Sequence, residues 1–295
     1  MRSIGNVNWT RTVGARHASP MELHGIHVPL VTPFTADGAV ALDALEQLAR
    51  DSLDAGAAGL VALGTTGEPG SLTDAEQDAV VELCRRVTAE HGAVLTVGAG
   101  HGGTARTAEA LGRLEGRADA ALVAVPAFVR PGEAGVLAHF RELAAGSPVP
   151  LVIYHIPYRT GQPLGAGALL ELLALPQVAG LKYAPGGLDE QTIALLAAEP
   201  RGVMAGDDLF LSPLLALGAD GGILASAHLE TARFVDLHRA WADGDVPLAR
   251  KLGAELAEVS RAAFAGPNPT ALKALLHRAG RIPTPAVRLP LLAHH

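Results

Sequence analysis

An alternation that recurs eight times constrains the fold of this chain more than any other feature. Short, almost wholly apolar runs alternate with longer amphipathic ones. The short runs are Ile26–Val31, Gly59–Leu63, Val94–Val97, Ala120–Val125, Pro150–Tyr154, Val178–Lys182, Val203–Ala205 and Gly221–Leu224. A strand with no polar face is what a parallel sheet covered on both sides requires. Between these runs the spacing is helical. Leu42, Leu45, Leu48, Ala49 and Leu53 mark one stripe, and Val80, Leu83, Cys84 and Val87 mark another. Thr73 followed by Glu76 has the spacing of a capping box ahead of the second stripe.

The expectation is therefore an α/β fold, a (β/α)₈ TIM barrel over residues 21–243. A doubly wound sheet fits less well, because no Gly-rich phosphate fingerprint follows the first strand. Two further helical runs, Val246–Ala263 and Thr270–Ala279, predict a C-terminal helical appendage over 244–295. Residues 1–20 are polar, with Arg2, Arg11 and Arg16 and no apolar stretch, so they do not read as a signal peptide. They read as a disordered tail, or as the product of a start placed ahead of Met21.

Composition narrows the function. The 295 residues are 49% hydrophobic but only 4% aromatic, with 34 glycines, which suits many small packed layers. The formal net charge is −7 and Lys and Arg form no run, which argues against nucleic-acid binding. No apolar run reaches the roughly 18 residues that span a bilayer. The single cysteine, Cys84, lies in a helical stripe, so neither a disulfide framework nor a cysteine metal site is available. A cytoplasmic location is expected. The 12 histidines show no zinc-ligand spacing backed by a third ligand. His24 and His27 sit at the start of the first strand, on the wrong face of a barrel. Asp207 and Asp208 read as cap or hydrogen-bond residues rather than a cation site. No metal is expected.

In such a barrel the chemistry lies at the C-terminal ends of the strands. The second strand ends in Gly64-Thr65-Thr66-Gly67-Glu68, where two hydroxyls and close-approaching amides can cradle an anion. The fifth ends in Tyr154-His155-Ile156-Pro157-Tyr158-Arg159. Tyr154 can pass a proton, and Arg159 can grip a carboxylate with its fork. His155 alternates away from Tyr154, towards the outer layer. The sixth ends in Lys182. Only three lysines occur in the chain, against 20 arginines among its 23 basic residues. Lys251 and Lys273 fall in helical runs and need no more than a solvated face. Lys182 offers what arginine cannot, a primary amine that condenses with a ketone. Burial would disfavour its charged form and raise the reactive fraction.

Together these strand ends resemble the dihydrodipicolinate synthase / N-acetylneuraminate lyase family of pyruvate-dependent Schiff-base aldolases. The likeness runs from about Gly25 to Ala279. It is carried by Val31-Thr32-Pro33-Phe34, Gly64-Thr65-Thr66-Gly67-Glu68, the segment from Tyr154 to Gly161, Gly180-Leu181-Lys182 and Gly206-Asp207-Asp208. The resemblance implies that Lys182 forms the imine and that Tyr154 moves protons on the intermediates. Thr65 would link Tyr154 to a proton relay. Thr66 and the amides of its turn, from Gly64 to Gly67, would hold the pyruvate carboxylate. Arg159 would hold a second carboxylate, as in the synthase branch. It further implies a 2-keto acid and an aldehyde as partners, no cofactor, and a homo-oligomer, tetramer or dimer.

Two positions depart from that pattern. A second relay tyrosine, reaching in from a neighbouring subunit, should fall in Val125–Pro131, but the residue there is Phe128. Water or Tyr158 would have to substitute, or the reaction differs. The positions expected to bind regulatory lysine hold Pro69, Gly70, Asp74, Gln77, Gly102 and Arg106, which implies no inhibition by lysine. The alternatives left open are a 2-keto-3-deoxy sugar acid aldolase or dehydratase using the same imine, an inactive barrel that only binds, and a phosphate-binding barrel using Gly221-Gly222.

Overall fold

The computed structural model describes Met21 and residues 23–294, so the expected N-terminal tail lies outside the described residues. Eight parallel strands close into one barrel in chain order. They are β1 (Gly25–Pro29), β2 (Gly59–Ala62), β3 (Val94–Gly98), β4 (Ala120–Ala124), β5 (Leu151–His155), β6 (Val178–Tyr183), β7 (Val203–Ala205) and β8 (Gly221–Ile223). Each end lies within two residues of its sequence expectation. The helices around them are α1 (Leu42–Asp54), α2 (Asp74–His91), α3 (Thr104–Gly112), α4 (Gly132–Gly146), α5 (Pro157–Thr160) and α6 (Ala166–Leu173). They continue with α7 (Glu190–Leu196), α8 (Leu211–Ala216), α9 (Ala227–Ala242), α10 (Val246–Ala263) and α11 (Thr270–Arg278).

Local chemistry sets several of these ends. The capping box at α2 forms as expected: the Glu76 amide donates to Thr73 Oγ1 at 3.3 Å, and the Thr73 amide donates to Glu76 Oε2 at 2.8 Å. Gly92 then ends the helix at φ +63°. Cys84 is buried in α2 and burial alone pushes its thiol up to about 12, which leaves it unreactive. The α1 stripe is buried from Leu45 to Leu53, but Leu42, in the first turn, stays partly exposed.

Period-two alternation sorts the strand residues into two cores. Val61, Leu122, Val152, Tyr154, Met204 and Ile223 form one cluster with no helix residue in it, so they fill the barrel. Their strand neighbours join the larger cluster between sheet and helices. The alternation places His155 outside, its ring stacked on Tyr183 at 5.8 Å, and Tyr154 inside.

Barrel closure demands glycine at one seam. A Cβ on Gly221 would lie 2.0 Å from the Gly25 carbonyl oxygen of β1. Gly221 and Gly222 thus serve strand pairing, and a phosphate cradle there is not supported. Lys251 is exposed as expected, but Lys273 is not. Lys273 is 0% exposed, with Nζ 2.7 Å from Glu68 Oε1 and 4.1 Å from the Phe34 ring centroid. Its helix face turns inward onto the loop after β2, which helical spacing alone did not reveal.

Candidate active site

The parallel register places the candidate residues at one level. Tyr154 pairs with Lys182, and Lys182 with Met204, across β5, β6 and β7. Residues side by side in a barrel point the same way, so Tyr154 and Lys182 both enter the interior. Lys182 Nζ lies 4.5 Å from the centre of the Tyr154 ring. Gly206, just after β7, makes the room: a Cβ there would stand 2.9 Å from Lys182 Cγ.

Electrostatics at Lys182 are opposed. Burial pulls its amine down from the usual lysine value to about 8, while the Asp208 and Asp207 charges pull it up. Burial wins. Tyr154 is pushed well above the ordinary tyrosine range, by burial first and then by Tyr158, so at neutral pH it is a proton donor. Asp208 is buried and raised to about 6 by that burial, although the Ser226 hydroxyl and amide donate to it at 2.6 and 2.7 Å. Asp207 is also raised by burial, and it accepts from the Gly186 amide at 2.7 Å and the Tyr158 hydroxyl at 3.1 Å. Both carboxylates thus accept hydrogen bonds within the fold. Neither carboxylate caps a helix, because the short turn Asp208–Phe210 has no side-chain cap.

The turn expected to cradle an anion is a single 3₁₀ turn, Thr65–Gly67, followed by Glu68 in the left-handed region at φ +54°. The Gly67 amide already donates to the Gly64 carbonyl at 2.9 Å, and the Glu68 amide to Thr65 at 3.2 Å. Among the described residues the Thr65 and Thr66 amides donate to no backbone carbonyl. The Gly67 amide, expected to bind substrate, is thus engaged within its own turn. Gly67 also packs closely: Thr32 Oγ1 donates to its carbonyl at 2.7 Å, and a Cβ would approach the Leu30 carbonyl to 3.2 Å. Thr66 is buried, and Thr65 is exposed. Gly64, Thr65, Tyr154 and Arg159 line one cleft of about 1120 Å³. Arg159, in α5, is exposed beside Tyr158, 6.0 Å from its ring centre.

Phe128 stands apart. It is 96% exposed at φ +71° and is not in the cleft wall; its amide donates to the Thr160 carbonyl at 3.1 Å. Tyr158 donates its hydroxyl to Asp207 at 3.1 Å, and among the described residues no hydrogen bond joins it to Tyr154. Among the described residues no hydrogen bond joins Thr65 to Tyr154 either.

Sequence reasoning missed a group beneath the cradle. Asn268 Nδ2 donates to Thr66 Oγ1 at 3.0 Å, Lys273 grips Glu68, and the Arg288 amide donates to Glu68 Oε2 at 3.0 Å. The visible signals were a polar residue between two prolines, Pro267-Asn268-Pro269, and a rare lysine five residues on from Asn268.

Residues 22–295 match the Dihydrodipicolinate synthetase family. The chain belongs to that family. Among curated proteins it is 37% identical to a 4-hydroxy-tetrahydrodipicolinate synthase of Moorella thermoacetica, covering 92% of this chain and 93% of that one. It is 36% identical to the Prochlorococcus marinus protein of the same name, covering 94% and 92%. Of the solved structures, the Thermotoga maritima dihydrodipicolinate synthase superposes with a TM-score of 0.89 at 26% identity, covering 93% of this chain and 94% of that one. The chloride-inhibited Acinetobacter baumannii synthase, solved with pyruvate, gives 0.87 at 31% identity, covering 92% and 93%. Both the barrel and the aldolase-type lyase class expected from the sequence are therefore those of the dihydrodipicolinate synthetase family. No helix among the described residues is long and apolar enough to cross a membrane.

Proposed function

We propose that this family member joins pyruvate, or a closely related 2-keto acid, to an aldehyde through an imine on Lys182, as a 4-hydroxy-tetrahydrodipicolinate synthase. The observation that carries the reading is a buried amine held near 8, in register with a buried tyrosine whose ring lies 4.5 Å away. Neutral Lys182 attacks the keto carbon, and the keto oxygen leaves as water after taking protons through Tyr154. The iminium draws electrons, the adjacent carbon gives up a proton, and the enamine attacks the aldehyde carbon, whose oxygen takes up a proton as the iminium is restored. Water then releases the product and restores the amine. The iminium is the electron sink, so the scheme calls on no metal or organic cofactor.

The remaining residues divide the binding. The Thr65 and Thr66 amides with the Thr66 hydroxyl take the keto-acid carboxylate. Arg159 takes a carboxylate on the aldehyde, and the Thr65 hydroxyl, in the same cleft wall as Tyr154, passes protons. We place the enzyme in the cytoplasm as a homo-oligomer, with Phe128 as a contact between subunits.

Pyruvate consumption against a panel of aldehydes tests this. A carboxylate-bearing aldehyde is expected to react fastest. Arg159→Ala should raise its KM roughly ten- to a hundredfold, the loss of a charge-assisted hydrogen bond, with little change for a neutral aldehyde. Phe128, which has no hydroxyl to relay a proton, favours one second reading, aldol cleavage or dehydration of a 2-keto-3-deoxy sugar acid. Turnover of such an acid with no aldehyde acceptor would replace the first reading by the second.

A further inference from the structure

The carboxylate cradle is aimed from outside the barrel. Asn268 lies between α10 and α11, and its Nδ2 donates to Thr66 Oγ1 at 3.0 Å across 202 residues of sequence. Thr66 is 3% exposed, and Asn268 lines the same cleft as Tyr154 and Arg159. A threonine hydroxyl has one proton to give and two lone pairs. With one lone pair filled by the amide, the proton turns away from Asn268, and no protein group among the described residues accepts it. The hydroxyl is thus a buried, pre-aimed donor beside the unused Thr65 and Thr66 amides, and accepting a bond strengthens the one it gives.

Asn268 itself supplies a second observation. Among the described residues its Oδ1 is buried with no protein partner, as buried polar atoms at functional sites often are. Two neighbours keep Asn268 in register, because Lys273 on α11 and the Arg288 amide both hold the Glu68 carboxylate at the end of the same turn.

We infer that Asn268 is a positioning residue of the reaction, which acts through Thr66 by committing its hydroxyl to donate to the keto-acid carboxylate. The inference rests on the imine reading above.

The test is borohydride trapping of the Lys182 adduct over a range of pyruvate concentrations, with acetone as a carbonyl probe that lacks the carboxylate. Asn268→Ala should raise the pyruvate concentration for half-maximal trapping about tenfold, the scale of one hydrogen bond to a charged group. The trapped amount at saturation and the acetone titration should stay within about twofold. Thr66→Val should show the same split, and the double variant should be no worse than either single one, because the two act as one unit. Asn268→Asp keeps the size but presents only acceptors, so it should reverse the hydroxyl and weaken pyruvate more than Asn268→Ala does. Circular dichroism melts keep misfolded variants out of the comparison, with Asn268→Asp standing in if Asn268→Ala does not fold. Equal loss with acetone, additive losses in the double variant, or an unchanged pyruvate titration would each overturn the inference while leaving the imine intact. No adduct in the unaltered protein would instead remove the imine reading and this inference with it.

Discussion

At the scale of the residue, the proposed chemistry turns on one amine. A lysine at its ordinary value is neutral in roughly one molecule in a few thousand at pH 7, whereas one near 8 is neutral in about one in ten. Burial brings Lys182 to about 8 against the pull of Asp208 and Asp207. The neutral form is the nucleophile, so the rate of imine formation should rise with pH and level off above about 8. Asp208→Asn removes the larger of the two charges that raise the amine, so its profile should shift to lower pH. Initial trapping rates across pH 6 to 10 check both points, and a midpoint that Asp208→Asn leaves in place would remove that carboxylate from the electrostatics of the amine. Lys182 was legible because lysine is rare here and stands at the end of an apolar strand. The setting of its pKa was not legible, since burial and the approach of Asp208 depend on how β6 and β7 sit side by side.

At the scale of the element, the strands were readable and the connections between distant ones were not. Apolar runs set β1 to β8, and period two told Tyr154 from His155, because each signal is local. The grip of α11 on the loop after β2 joins residues about 200 apart, and no local pattern reports it. That is why Lys273 looked like a surface residue and is in fact sealed against Glu68, with Arg288 and Phe34 beside it. Burial pulls Lys273 down to about 8 even though Glu68 pulls the other way. Lys273→Met leaves a buried carboxylate without its cation and should cost about 3–5 kcal/mol in denaturant unfolding. Adding Glu68→Gln should recover part of that loss. A single variant as stable as the parent would mean that the pair does not hold the cradle.

At the scale of the whole molecule, the barrel holds the candidate site, and the loop after β4 carries the proposed contact between subunits. Phe128 and Val129 are 96% and 60% exposed at the barrel mouth, held up by a backbone in which both Phe128 and Arg130 have positive φ. An exposed aromatic on such a backbone is the ground for proposing a subunit contact there. Light scattering should give a dimer or tetramer, and Phe128→Asp should lower the mass; an unaltered protein that runs as a monomer would refute the assignment of Phe128. The sequence indicated that a hydroxyl was missing here, but not that the side chain projects away from its own cleft, because loop direction follows from packing against Thr160 rather than from spacing. Every proposed step depends on the covalent bond at Lys182. The most direct measurement is the intact mass and peptide map after pyruvate and borohydride. A pyruvate-sized adduct on Lys182 that is absent in Lys182→Ala is the expected result, and a protein that takes up no 2-keto acid at Lys182 would contradict it.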